Sequence, residues 1–331
     1  CIIGAGIFVM TGTAAANHAG PAIILSFVLA GIACAFAGLC YAELASVLPV
    51  SGSAYTYAYA TLGEIFAWVM GWLLLLEYGI SASAVAVGWS GYVNSFLMSA
   101  NVLIPPEWTT AFGQQVPVNE ALRALYEAHG YQVQAVTEKG GQVLYLANAA
   151  GELILGKFNI LAFSGIMMVT LLLVKGISES ATVNNIIVFV KLFVILAFIA
   201  IGVFYVNSDN WHPFIPANTG PGEYGVGGIF RAASIIFFAY IGFEAVSTAA
   251  AEAKDPQRDM PFGILGSLLI CTVLYMAVAM VLTGVVHYSQ LNVADPMAVA
   301  ADAIGLSWFT LLIKIGAIAG LSSVMLVLCY S

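Results

Sequence analysis

The chain starts with Cys1-Ile2-Ile3-Gly4-Ala5-Gly6-Ile7-Phe8-Val9-Met10-Thr11-Gly12, and this stretch decides its fold. Two glycines flank an alanine inside an apolar run. Glycine weakens a helix by about 1 kcal/mol relative to alanine, so Gly4-Ala5-Gly6 is a place where a helix can open. An opened helix exposes N–H groups that attract anions on one half and C=O groups that attract cations on the other. Close helix packing through small residues is the alternative interpretation.

A second stretch of this kind is Ser234-Ile235-Ile236-Phe237-Phe238-Ala239-Tyr240-Ile241-Gly242-Phe243-Glu244. Bulky aromatic residues surround one glycine, and we predict a second break between Ala239 and Gly242; packing of an aromatic cluster is the alternative. The two stretches lie in the first and sixth apolar segments, and an offset of five inverts the second copy in a membrane. Paired interrupted segments point to a transporter site near the bilayer midplane.

The composition indicates a membrane protein. Of the 331 residues, 61% are hydrophobic and 8% are charged, whereas soluble domains carry roughly 25% charged residues. The net charge of −8 argues against a nucleic-acid partner, which requires a basic face. The five cysteines form no CxxC motif and the four histidines have no metal-ligand spacing. We therefore expect no metal site, no disulfide framework and no cofactor.

Eight apolar segments are long enough, or nearly so, to cross a bilayer as helices of about 20 residues. They are 1–16, 22–48, 65–98, 158–174, 183–206, 226–250, 262–286 and 309–331. These runs are too long and too continuous for barrel strands, which predicts an all-α integral membrane protein. Because the chain begins and ends inside apolar runs, we expect it to be a fragment truncated at both ends.

The predicted organisation is one transmembrane domain interrupted by a polar connection. Residues 1–98 hold spans one to three, and residues 158–331 hold spans four to eight. The connection at 99–157 is expected to carry a short helix near 118–129.

The orientation follows from the basic residues of the short loops. If the N-terminus is cytoplasmic, the inner loops carry Lys175, Lys254 and Arg258, and the short outer loops carry neither Lys nor Arg. The positive-inside rule then predicts that 99–157 faces outward from a plasma (cell inner) membrane.

Two ionisable residues lie in the middle of predicted spans. Lys191 is in the fifth span, where an ammonium must face the protein interior. Burial makes its proton easier to lose, which suits a proton carrier; a structural anchor is the alternative. Glu77 follows four leucines, and as a buried acid it would relay protons, receive a substrate amine or bond across helices.

Several motifs, in order, resemble one family. They are Gly4-Ala5-Gly6-Ile7-Phe8, Tyr41-Ala42-Glu43-Leu44, Pro49-Val50-Ser51-Gly52-Ser53-Ala54-Tyr55, Phe238-Ala239-Tyr240-Ile241-Gly242-Phe243-Glu244 and Glu252-Ala253-Lys254-Asp255-Pro256-Gln257-Arg258-Asp259. With them the chain resembles the amino acid–polyamine–organocation superfamily, most closely the bacterial form of its cationic amino acid transporter family. The resemblance covers nearly the whole chain, with the exception of 99–157.

The resemblance implies a five-plus-five inverted-repeat fold with discontinuous first and sixth spans, of which this chain would hold spans one to eight. It implies a substrate carboxylate on backbone N–H groups near Ala5 and Gly6, next to Gly4. It implies a substrate amine near a set of backbone carbonyls. These belong to Ile2, Ile3, Phe238, Ala239 and Ile241.

The resemblance also gives Lys191 a role. It stands where sodium-coupled relatives hold an ion between spans one, five and eight, with Ser322 and Ser323 as expected neighbours. An ammonium can replace a cation among carbonyls and hydroxyls. We therefore expect proton coupling, in which loss of the proton loosens the fifth span and favours opening to the inside.

The substrate expected from the eighth span is a small or broadly neutral amino acid. Motif alignment sets Leu328 against the substrate side chain, and an apolar wall disfavours a cationic one. Transport of cationic amino acids, with Glu77 as the acid, and amino acid exchange remain alternatives, as does a sensor that binds without transport. No HExxH, GxSxG or Walker glycine loop is present, so an enzyme is not expected. The expected partners are the amino acid, a proton and the lipid bilayer.

Overall fold

The structure is a computed structural model that describes residues 2–48, 53–118, 122–138, 141–175, 181–244 and 255–330. It is mostly helical. The helices are α1 (Thr11–Ala14), α2 (Ile23–Val47), α3 (Ser53–Leu62), α4 (Glu64–Ser99), α5 (Arg123–Ala128), α6 (Ile160–Val174), α7 (Ala181–Gly202), α8 (Gly225–Ile236), α9 (Pro256–Val285), α10 (Pro296–Ile304) and α11 (Ser307–Tyr330). Two π-helical turns, Gly6–Met10 and Ala15–Ala19, flank α1.

Within the described residues, five helical stretches are long and apolar enough to cross a membrane. They are Gly6–Val47, Glu64–Ser99, Ile186–Tyr205, Gln257–Val285 and Ser307–Tyr330, and two shorter apolar helices are Ile160–Val174 and Gly225–Tyr240. The first stretch contains two predicted segments, because Gly20 (φ +59°) turns the chain just before Pro21. Every predicted apolar segment thus contains a helix. Residues 245–250 of the sixth segment, the motif residues 49–52 and Lys254 lie outside the described residues.

The helices pack through small residues. α2 lies along α9, and α4 and α7 lie along α11. At Gly316 of α11, a Cβ would come within 2.3 Å of Val194 Cγ2 on α7, so only glycine allows this approach. Because lipid gives no hydrophobic drive for helices to associate, close van der Waals packing at such positions holds the bundle together.

The connection at 99–157 corrects the prediction of an all-α protein. It contains β1 (Pro117–Val118), β2 (Gln132–Glu138) and β3 (Gly141–Ala147), which form an antiparallel sheet in the order β1-β3-β2. The expected short helix is α5. A small core of Met98, Val116, Val118, Tyr126 and Leu146 joins this sheet domain to the end of α4. Strands of two to seven residues are too short to register in a search for 20-residue apolar runs.

A buried ion pair ties α11 to α10 and α4. The Lys314 side chain is 1% exposed, and its Nζ lies 3.3 Å from Asp302 Oδ1. The same Nζ donates to Ser99 Oγ at 2.9 Å. Burial raises the pKa of Asp302, and it raises the pKa of nearby Asp295 to about 6. Such a pair is costly to break because the remaining charge stays buried.

Lys314→Met is expected to lower the free energy of unfolding by about 3–5 kcal/mol, because it removes the cation beside the buried carboxylate of Asp302. Thermal unfolding in detergent measures the change. Lys157→Met is the control, since Lys157 is exposed and its Nζ lies 4.0 Å from Glu107 Oε1. Equal melting temperatures for the two variants would contradict the account.

Asp295→Asn is expected to remove one pH-dependent contribution to stability. Because folding raises the pKa of Asp295 from 3.8 to about 6, ionisation disfavours the folded state, so this contribution falls as pH rises from about 4 to about 6. At pH 7.5 the variant should be more stable than the wild type by about 2–3 kcal/mol, and at pH 3.5 the difference should vanish. Parallel melting curves across this pH range would refute it.

Candidate functional site

The first interrupted stretch begins without helical structure. Residues 2–4 are irregular, and the π-helical turn starts at Gly6. Gly4 O accepts hydrogen bonds from Ile7 N and Phe8 N, both at 3.2 Å. The first N–H groups of a helix have no partner within it, so this start supplies donors inside an apolar region.

The second interrupted stretch follows α8. The helix ends at Ile236, the chain continues as a 3₁₀ turn over Phe237–Tyr240, and Gly242 takes a φ of +108°. That backbone conformation favours glycine. The buried Glu244 carboxylate accepts from Gly242 N at 2.9 and 3.1 Å, which holds the turn in place.

The two stretches touch at Gly6. A Cβ at this position would lie 2.3 Å from Ala239 Cβ and 2.6 Å from Ala239 Cα. Real Cβ atoms do not approach so closely, so no side chain fits between the two backbones. The absence of a side chain at Gly6 therefore allows both stretches to border the same space.

A cavity of about 30 Å³ lies where the stretches meet. Its wall is formed by Ile2, Gly4, Ala5, Gly6, Ser81, Val85, Phe238, Ala239, Ile241, Val324, Val327 and Leu328. The structure thus brings together eight of the nine residues predicted to bind substrate; Ile3 is not among the wall residues described. No wall residue carries a charge, so a bound solute would meet backbone groups, apolar side chains and one hydroxyl.

That hydroxyl belongs to Ser81, which the sequence analysis missed. The Ser81 side chain is buried, and its Oγ has no hydrogen-bond partner among the described residues. Ser81 and Val85 lie one turn apart on α4 and face the cavity together. A lone serine in an apolar helix does not reveal from sequence which side of the helix will face a cavity.

Lys191 lies on α7, where this helix packs on Gly320 of α11. Its residue is 6% exposed. A Cβ at Gly320 of α11 would lie 3.3 Å from Lys191 Cγ and 3.4 Å from the Phe8 ring, so the lysine stem and this ring both pack at Gly320. The position joins the three elements that the resemblance associates with an ion.

The two serines expected near Lys191 face different neighbours. Ser322 Oγ accepts from Trp89 Nε1 at 2.9 Å, which directs it towards α4. Ser323 is buried and donates to Gly320 O at 3.3 Å, beside the lysine stem. Of the two, Ser323 is thus the one bonded to the residue that Lys191 contacts.

Glu77 differs from the expectation of a buried acid. Its residue is exposed on α4 of the described chain, away from the cavity wall. Hydropathy shows that it lies deep along the helix, but the side it faces depends on helix rotation. Glu244, the last residue of the second stretch, is a buried acid next to the Gly242 turn.

A larger cavity of about 540 Å³ lies on the side of the sheet domain. Its wall includes Val9, Gly88 and Asn292. Gly88 packs directly on Val9, and Tyr92 Oη donates to Phe8 O at 2.6 Å. This layer of contacts lies next to the residues that line the small cavity.

Comparisons with known proteins agree on one family. The family model described as amino acid permease matches residues 1–331. The methylthioribose transporter of Bacillus subtilis (strain 168) is 44% identical over 331 residues, which is 100% of this chain and 62% of the relative. The branched-chain amino acid permease BcaP of the same organism is 44% identical over 330 residues, 99% of this chain and 62% of the relative.

A plant relative is more distant. The chloroplastic cationic amino acid transporter 9 of Arabidopsis thaliana is 37% identical over 332 residues, which cover 99% of this chain and 50% of the relative. The chain thus spans 62% of the length of each of the two Bacillus relatives.

Gly6→Ala is expected to destabilise the protein by about 1–3 kcal/mol, because the new Cβ would overlap Ala239. Gly266→Ala is the matched control: it lies in α9 with nothing within 4 Å of its Cβ position, and should stabilise by up to about 1 kcal/mol. Thermal unfolding measures both changes. The close approach of the two stretches would be wrong if both variants shifted the melting temperature upwards.

Proposed function

Because this chain belongs to the amino acid permease family, we propose that it forms the substrate-binding body of a secondary transporter for neutral amino acids. The observation that carries the proposal is the cavity between Gly4–Gly6 and Phe238–Ile241. Paired broken segments around one cavity are the arrangement by which transporters bind small zwitterions at the membrane midplane.

Backbone groups would bind the zwitterion. N–H groups at the start of a helix favour an anion, so the substrate carboxylate would lie against Ala5 and Gly6. The ammonium would lie against backbone carbonyls of the two stretches, at Ile2, Ile3, Phe238, Ala239 and Ile241. The Ser81 hydroxyl, buried at the wall, is available for a further hydrogen bond. Gly4 supports the site because it has no side chain, and a Cβ there would lie 2.9 Å from Val324 Cγ2 at the cavity wall.

A neutral substrate fits the chemistry of the wall. Val324, Val327 and Leu328 present an apolar surface from α11, and an unpaired cationic side chain there would lose its hydration without compensation. A relative named for branched-chain amino acids and others named for cationic ones make these the competitors to test.

Lys191 would couple transport to a proton. In its charged form it would hold α7 to α11 and to the first stretch, near Ser323. Loss of the proton would weaken these contacts and favour opening to the inside. The support is that its buried stem and the Phe8 ring both pack at Gly320 of α11.

The proposed architecture is the five-plus-five inverted repeat, with spans one to eight in one transmembrane domain. The sheet domain within 99–157 would face outward from the cell membrane and the N-terminal side would be cytoplasmic. Lys175 and Arg258, at the ends of α6 and α9, support this orientation because both would then lie inside.

Uptake into liposomes tests the proposal. The purified protein is reconstituted and offered labelled alanine, with other amino acids as competitors. Saturable accumulation that neutral amino acids inhibit and arginine does not is the expected result. Inhibition by arginine alone would favour a cationic substrate. Binding without any accumulation would indicate a sensor and would refute the transporter.

Lys191→Ala is expected to lose accumulation driven by an imposed pH gradient while it retains substrate binding, because the protonatable tie is gone. Lys157→Ala, at an exposed lysine of the connection, is the control and should accumulate as the wild type does. Measurements run with the interior more alkaline and with no gradient. Gradient-driven accumulation by the Lys191→Ala variant would remove this residue from the coupling. Wild-type uptake that is equal with and without the gradient would indicate exchange.

A further inference from the structure

Tyr275 of α9 joins the two interrupted stretches. Its Oη lies 2.6 Å from Ile2 O and 3.0 Å from Ala239 O. Both carbonyls belong to residues of the cavity wall, one from each stretch. The tyrosine residue itself is fully buried. One hydroxyl from outside the cavity wall therefore bridges a carbonyl of the first stretch and a carbonyl of the second.

The aromatic ring of Tyr275 is held in place by its neighbours. It packs edge-on against Tyr240 with ring centroids 5.5 Å apart, and against Phe27 at 5.4 Å. A ring packed on two sides at full burial has little freedom to turn. The position of the hydroxyl is consequently set by packing, and the hydroxyl in turn sets the spacing of the carbonyls.

The number of donors and acceptors at the Tyr275 hydroxyl and the two carbonyls indicates which chemical group this pair of carbonyls can bind. A phenol donates one hydrogen, which the carbonyls of Ile2 and Ala239 must share, and each carbonyl oxygen has two lone pairs. Acceptor capacity therefore remains on two carbonyls held a fixed distance apart. A primary ammonium has three donors and is the part of an amino acid that meets such a pair.

We infer that Tyr275 is a positioning residue for the substrate ammonium: its hydroxyl fixes the carbonyls of Ile2 and Ala239 as one acceptor pair, so that the site selects primary amines. The inference rests on the proposed function. Preorganised acceptors bind more tightly because ordering them costs nothing on binding. Removal of the hydroxyl leaves the carbonyls of Ile2 and Ala239 without their shared donor and weakens the recognition of N–H groups in particular.

Tyr240 supplies a matched control. It is also fully buried, and its hydroxyl bonds to Phe27 O at 3.2 Å and to Thr272 Oγ1 at 3.0 Å. Tyr240→Phe thus deletes the same group from a neighbouring ring without touching the carbonyls of Ile2 or Ala239. Tyr275→Phe removes the donor to the carbonyls of Ile2 and Ala239, whereas Tyr240→Phe removes the donor to the carbonyl of Phe27.

The experiment compares inhibition constants for alanine, N-methylalanine and N,N-dimethylalanine against labelled alanine uptake. In the wild type and in Tyr240→Phe, N,N-dimethylation should weaken inhibition by about tenfold or more, because two of the three N–H donors of the ammonium are lost. In Tyr275→Phe, the inhibition constant of alanine should rise by about tenfold, whereas that of N,N-dimethylalanine should change by less than about threefold. This ratio is independent of how much protein is folded.

A uniform loss for all three compounds in Tyr275→Phe, or no loss, would overturn the inference. The same selective loss in Tyr240→Phe would overturn it as well, as would a wild type indifferent to N-methylation. Should Tyr275→Phe not reach the membrane, Tyr275→Met fills the space with an apolar chain and is judged by the same ratio. A wild type without saturable amino acid uptake would instead refute the proposed function.

Discussion

The rest of the structure depends on two backbones that approach each other with no side chain between them. At Gly6 a single methyl group would overlap Ala239, so the first stretch can contact the second only through glycine. Both backbones leave α-helical geometry at this contact. The cavity lies at this contact, and residues of both stretches form its wall.

Polar backbone groups in an apolar region need hydrogen-bond partners, and here individual side chains act as those partners. Thr11 Oγ1 donates to Gly6 O at 2.9 Å. Glu244 accepts from the N–H of Gly242, and Tyr275 donates to the carbonyls at the cavity wall. Outside the site, the buried side chains of Lys314 and Asp302 likewise act as partners for each other. Each unmet group would cost several kcal/mol in lipid, so the unwound stretches persist only because these side chains surround them.

The two glycine-marked stretches were predictable because helix propensity acts locally, and the family resemblance supplied the residues expected at the cavity wall. Gly4, Gly6 and Gly242 mark the breaks, since glycine weakens helices wherever it occurs. Ser81 and Tyr275 were not predictable, because one polar residue in an apolar helix shows nothing of what it faces after folding. Helix rotation also decides that Glu77 is exposed. The sheet domain was missed because its strands alternate over a few residues.

The most direct test of the account is an experimental structure with a bound neutral amino acid. The account predicts the substrate carboxylate within hydrogen-bond distance of N–H groups at Ala5 and Gly6, and the ammonium against carbonyls of the second stretch, including Ala239. An amino acid held by charged side chains, or located away from the contact between the two stretches, would contradict it.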